Sequence, residues 1–102
     1  MTEKFCLKWN DFESNISNSF RDIREQKEFF DCTLACGSEQ LEAHKVVLGA
    51  CSPWFRLALA RHPHHHPLLY LRGVSAQDMQ AVLSFCYQGE VNIAQEGKRI
   101  LS

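Results

Sequence analysis

Apolar positions recur along this chain with two different periods, and each change of period marks a new element. Phe5, Leu7 and Trp9 fall on one side of an extended segment, with Cys6 and Lys8 on the other, the two-residue repeat of a half-buried strand. Phe12, Ile16, Phe20 and Ile23 then recur at i, i+4, i+8 and i+11, one stripe of a helix over 11–26. Asn10 with Glu13 three residues later fits a capping box for that helix, and Asp11 suits the positive end of its dipole. The stretch 30–53 reads as strand, turn, strand, helix, and the start of a second helix. In its first strand Cys32, Leu34 and Cys36 share one face while Thr33 and Ala35 share the other. Both faces are apolar or small, which predicts a strand covered on both sides. Gly37-Ser38 supplies the turn, and Ser52 followed by Pro53 opens the second helix. Trp54, Phe55, Leu57, Ala58 and Leu59 surround that helix instead of forming a stripe, so it is expected to be deeply packed.

The segment 61–67 breaks the pattern, and Pro63 and Pro67 stop regular structure, leaving an exposed loop that carries His62, His64, His65 and His66. A short strand follows over 68–71, ended by Gly73. Ser75, with Asp78 three residues on, opens a further helix whose Met79, Val82, Leu83 and Cys86 lie at i, i+3, i+4 and i+7. Gly89 closes it, and 90–93 alternates as a last strand. No internal repeat or linker composition is visible.

Two of these elements leave their partners open. A strand at the chain end needs something to pair its backbone, and the pattern fits an edge strand of its own sheet as well as one exchanged with a second subunit. The stripe of Phe12, Ile16 and Phe20 could face the domain's own core, the default, or a neighbouring copy.

With 102 residues there is room for one domain and one modest core, and 45% hydrophobic and 11% aromatic residues make it globular. A net charge of -1 gives no basic field to attract nucleic acid or an anionic membrane surface. No apolar run approaches the ~18–20 residues of a membrane span, and the first residues lack the pattern of a secretory signal. Five cysteines, an odd number set mostly in apolar segments, read as reduced, buried thiols of a cytosolic or nuclear protein.

Chemistry finds few footholds. His64, His65 and His66 are possible zinc, copper or nickel ligands, but adjacent loop residues seldom aim three rings at one ion, and no neighbouring carboxylate or cysteine completes the set. No metal is expected. Cys32 and Cys36 have metal-like spacing, yet along a strand they stand about 13 Å apart. His44 and Cys51 share a helix face at about 10 Å along the axis, too far for a base and its nucleophile. No glycine-rich phosphate loop is present, so neither an enzyme nor a cofactor is expected. Asp31 and Lys45 are charges placed where burial is expected, and either would be costly to bury unpaired.

Taken in order, Asp31-x-Thr33-Leu34, Ala43-His44-Lys45-Val46-Val47-Leu48, Ala50-Cys51-Ser52-Pro53-Trp54-Phe55 and Phe85-Cys86-Tyr87-Gln88-Gly89-Glu90-Val91 resemble the signature of the BTB/POZ domain. Phe5-Cys6-Leu7-Lys8-Trp9-Asn10 ahead of a helix is similar to the N-terminal extension of the tramtrack-type group of insect transcription regulators. The resemblance runs over 5–94 and implies an α+β fold, a helical cluster flanked by a short mixed sheet. It further implies a non-catalytic homodimer built through the N-terminal strand and helix, with Phe5, Leu7, Trp9, Phe12, Ile16 and Phe20 at the interface. Dimers of this group assemble further, often into hexamers, and other BTB domains or co-regulators are potential partners. Asp31 and Lys45 would form a charged patch at the dimer groove, or fix strand against helix. A nuclear, chromatin-associated location is implied, with DNA contacted by other modules and neither nucleic acid nor membrane by this one.

The domain is expected over 1–96. The tail 97–102 departs from the family, which would continue into further helices, so the chain is expected to be a piece of a longer protein or a short isoform. An alternative role, substrate adaptor for a cullin-type ubiquitin ligase, is disfavoured because the 61–67 loop lacks the hydrophobic-x-Glu pattern of such adaptors.

Overall fold

Two short hairpin strands and three helices wrap one apolar centre, and a fourth helix with an extended arm stands on its amino-terminal side. A computed structural model describes residues 2–91. The part of the predicted last strand from 92 on, and the tail 97–102, lie outside the described residues.

Strand β1, Cys32–Cys36, pairs antiparallel with β2, Glu39–Ala43, with Leu34 opposite Leu41. The turn between them is tight because Gly37 takes a φ of 62°, open to glycine at no steric cost. Strand β3, Leu68–Tyr70, lies parallel to β1 on its other side, giving the order β2-β1-β3. Amide bonds from Thr33 to the Pro67 carbonyl and from Leu71 to the Ala35 carbonyl fasten its two ends. Pro67 is therefore buried, so the loop predicted as exposed throughout is anchored at its last residue, while His64, His65 and His66 are exposed.

After β2 the chain turns into α2, Lys45–Cys51, and then α3, Pro53–Ala60. Ser52 caps α3 as its side chain accepts from the Phe55 amide, 3.3 Å away, with proline in the first turn. Helix α4, Ala76–Gln88, is capped in the same way by Ser75, which accepts from the Asp78 amide. It ends at Gly89 with φ 88°, the left-handed residue that lets a last carbonyl find an amide.

The centre is made by Leu34 and Cys32 from β1, Leu48 from α2, Phe55 from α3, and Met79, Val82 and Leu83 from α4. Three of the four stripe residues predicted on α4 are buried; the fourth, Cys86, is half-buried, and Tyr87 is buried one position later. Helix α3 corrects its expectation more strongly. Phe55 is its one fully buried side chain, while Trp54 and Leu57 are half-exposed, so apolar residues all around a helix do not here mean packing all around. Ala35 and Thr33 divide as well: the first is buried and the second half-buried, so the outer face of β1 is only partly covered.

Candidate functional site

Everything amino-terminal to Glu28 is held more loosely than the rest. Helix α1 spans Phe12–Glu25 and carries no buried residue. Of its stripe, Ile16, Phe20 and Ile23 are half-buried and Phe12 is exposed, so the default assignment of this face to the domain's own core is corrected to partial contact, chiefly with α4. Phe20 packs against the core edge, and the Arg24 guanidinium sits 4.9 Å from the centre of the Tyr87 ring.

The capping box expected from Asn10 and Glu13 does not form. Asp11 is the N-cap, in a left-handed conformation with φ 58° that its short polar side chain tolerates, and it makes no side-chain cap bond. Local bonds replace the box: the Ser14 hydroxyl donates to the Asp11 carbonyl and the Asn15 side-chain amide to the Asn10 carbonyl.

Residues 2–9 run as an extended arm that joins no strand among the described residues. Of the two expectations for 5–9, an edge strand of the chain's own sheet is thereby corrected, because β2-β1-β3 does not include it. Phe5 is 82% exposed, Leu7 95% and Trp9 57%. Trp9 makes one ring contact, edge-on with Phe12 at 5.2 Å, which links arm to helix and joins their apolar faces.

Beside this face lies a groove of about 440 Å³ between α1, α2 and the end of α4. Phe20, Val46, Ala50, Cys51, Phe85 and Cys86 are among its walls. Val46 is exposed although its neighbours Val47 and Leu48 are buried. Sequence reasoning missed this groove; an apolar Val46 off the buried face of α2 is the signal it offered.

Asp31 and Lys45 do come together, but through the backbone. The Asp31 carboxylate accepts the Lys45 amide at 2.7 Å, at the start of α2, where His44 provides no side-chain cap. An acceptor placed just ahead of β1 thus satisfies an amide the helix leaves orphaned, with a negative charge at the positive dipole end. The Lys45 ammonium reaches the His65 carbonyl instead, at 3.0 Å, and steadies the histidine loop. His66 adds a second tie, its Nε2 lying 2.9 Å from the Thr33 hydroxyl.

His44 and Cys51 do not meet. Buried His44 donates from Nε2 to the Glu28 carbonyl at 2.7 Å and pairs through Nδ1 with the Tyr87 hydroxyl. That hydroxyl also accepts the His44 amide at 3.1 Å, and burial pushes it up to about 12. The contact locks α4 to the entry of α2 and to the loop below α1, and no short-range pattern announces it because its partners are 43 residues apart. Burial likewise pushes the Cys32 thiol up to about 12, and the Cys36 thiol is raised in the same way. All five cysteines are free, and Cys6, on the arm, is exposed.

Among the described residues no helix is long and apolar enough to cross a membrane, and no group of three or more His, Cys, Asp or Glu could hold a metal.

A protein-family model described as "BTB/POZ domain" matches residues 20–102. The chain belongs to the BTB/POZ family. Relatives from Drosophila melanogaster match over more than nine-tenths of the chain. "Longitudinals lacking protein-like" is 50% identical over 94 residues, which is 92% of this chain and 74% of that protein. "Protein abrupt" is 50% identical over 92% of this chain, and the alpha isoform of "Protein tramtrack" 42% over 93%. The chain spans only 10% and 12% of those two proteins. Among solved structures, the "BTB domain of zebrafish PATZ1" superposes with a TM-score of 0.72, at 21% identity, over 96% of this chain and 80% of that one. That likeness supports the α+β BTB fold read above, and BTB domains are protein-interaction modules that generally self-associate.

Proposed function

We propose that this BTB/POZ domain is a non-catalytic self-association module, dimerising through the arm 5–9 and α1 and assembling into larger oligomers. The supporting observation is the exposure of Phe5, Leu7, Trp9 and Phe12, the first three on an arm that joins no strand among the described residues. Large exposed apolar patches rimmed by polar residues mark interaction surfaces.

Magnitudes decide how much of the face is needed. Burying Phe5, Leu7 and Trp9 in a partner yields about 1.5–3 kcal/mol each. Association costs about 4–15 kcal/mol before any contact is counted. A two-fold dimer buries both arms, about 9–18 kcal/mol in all, a range that overlaps this cost, so Phe12, Ile16 and Phe20 of α1 add the margin that makes the dimer stable. In such a dimer Asp31 and Lys45 rim the groove as a charged patch, besides fixing β1 against α2.

The likeness to abrupt and tramtrack supports a nuclear role as the oligomerising part, over 1–96, of a transcription regulator. Tethered DNA-binding modules then gain avidity at clustered sites without this domain touching DNA. Multi-angle light scattering of the full chain at micromolar concentration tests the reading. Dimers or larger species support it, and a clean monomer rejects it.

A further inference from the structure

Strand β3 is hydrogen-bonded along one side. The Thr33 amide donates to the Pro67 carbonyl and the Leu71 amide to the Ala35 carbonyl, with Thr33 beside Leu68 and Ala35 beside Tyr70. In a parallel ladder alternate residues turn their backbone groups to the same neighbour, so Pro67, Leu69 and Leu71 face β1. The amides and carbonyls of Leu68 and Tyr70 therefore point the other way, where the order β2-β1-β3 places no strand among the described residues. Their side chains are open too, 54% and 66% exposed. Soluble proteins guard such edges with charges or prolines. The opposite edge, β2, is guarded, with Glu39, Gln40 and Glu42 exposed along it. Leu68-Leu69-Tyr70-Leu71 has neither charge nor proline.

We propose that β3 is a second self-association edge, pairing antiparallel about a two-fold axis with β3 of another copy. The strand is complementary to itself. Centred on Leu69, the pairing sets Leu68 opposite Tyr70 of the other copy, and Tyr70 opposite its Leu68. Both positions carry the outward backbone groups, so every outward amide finds a carbonyl. The same register lays leucine against tyrosine on the outer face of the sheet, an aliphatic-aromatic contact across the new strand pair. Two copies of β2 would instead bring glutamates together, so like charge rules out that edge. The contact rests on the arm-mediated dimer proposed above and supplies the joint between dimers. So short a strand is too small to hold lone chains together, but a dimer carries two such edges and gains by using both.

Multi-angle light scattering of the full chain over a concentration series compares the wild type with Tyr70→Pro and Leu68→Lys. Proline at 70 removes an outward amide and lysine at 68 adds an edge charge, so both leave the bonds between β1 and β3 in place. Protection of the β1 amides from hydrogen exchange checks that each variant is folded. The wild type is expected to exceed the dimer mass at high concentration, where its Leu68 and Tyr70 amides exchange slowly. Both variants should fall back to the dimer mass. Leu7→Asp separates this contact from the arm. If Leu7→Asp dissociates the protein while both β3 variants keep the wild-type mass, the β3 contact is overturned and the arm reading stands. If the β3 variants lower the mass and Leu7→Asp does not, the β3 contact is upheld and the arm reading fails. A wild type that never exceeds the dimer, with fast exchange at Leu68 and Tyr70 throughout, also overturns the β3 contact.

Discussion

Phe55 and Phe5 are the same residue type at opposite extremes, 0% and 82% exposed. Phe55 sits on α3, where Ser52 and Pro53 set the helix and Leu34, Leu48 and Met79 make the facing wall. Phe5 belongs to an equally regular apolar repeat, with Leu7 and Trp9, but among the described residues little covers it. The pattern in the sequence says that a side will be covered; only topology says by what. On the α4 side the cover is intramolecular, and every buried side-chain nitrogen and oxygen among the described residues has a hydrogen-bond partner. On the α1 side no residue of the helix is fully buried, although its stripe is as apolar as that of α4.

This contrast can be broken at several points. The largest effect belongs to the closed side: Phe55→Ala should cost about 3–5 kcal/mol in urea unfolding, the range for emptying an aromatic site. A loss as small as that of a surface change would mean the centre is misplaced. Tyr87→Phe should cost about 1–3 kcal/mol, because it leaves the buried His44 amide and ring nitrogen without their partner. A pH dependence accompanies it. A tyrosine whose folded value is raised from 10 to about 12 adds stability present below pH 10 and lost as pH climbs towards 12. The alkaline fall in thermal midpoint over that window should therefore be shallower in Tyr87→Phe than in the wild type.

Smaller effects separate the two members of the charged pair. Asp31→Ala removes the acceptor for the Lys45 amide and should cost about 1 kcal/mol, typical of a lost cap. Lys45→Gln retains that amide and can still donate to the His65 carbonyl, so a change of less than about 0.5 kcal/mol is expected. Equal losses would show that the two side chains act as an ion pair after all.

The elements that local chemistry determines were legible in the sequence. The hairpin around Gly37, the Ser52-Pro53 and Ser75 helix starts, the Gly89 stop and the Met79-Val82-Leu83 stripe all rest on neighbours within about four residues, and all are found. What was not legible depends on distance or direction. A period of two placed Phe5, Leu7 and Trp9 on one face without naming a partner, and the Asn10–Glu13 spacing could not foresee that Asp11 would take a left-handed turn. Trp54 and Leu57 look like core by composition but point away from the single centre a chain of 102 residues can build. The Asp31 and Lys45 positions were visible, but not that the contact runs through an amide. The His44–Tyr87 lock joins residues 43 apart, which no local rule reaches.

The central claim is that the arm is completed by another copy of the chain. Backbone hydrogen exchange of residues 5–9, followed over a dilution series, tests it most directly. Slow exchange at high concentration that becomes fast on dilution, while the amides of β1 remain protected, is the predicted result. Fast exchange of the arm at every concentration at which β1 is protected would contradict it.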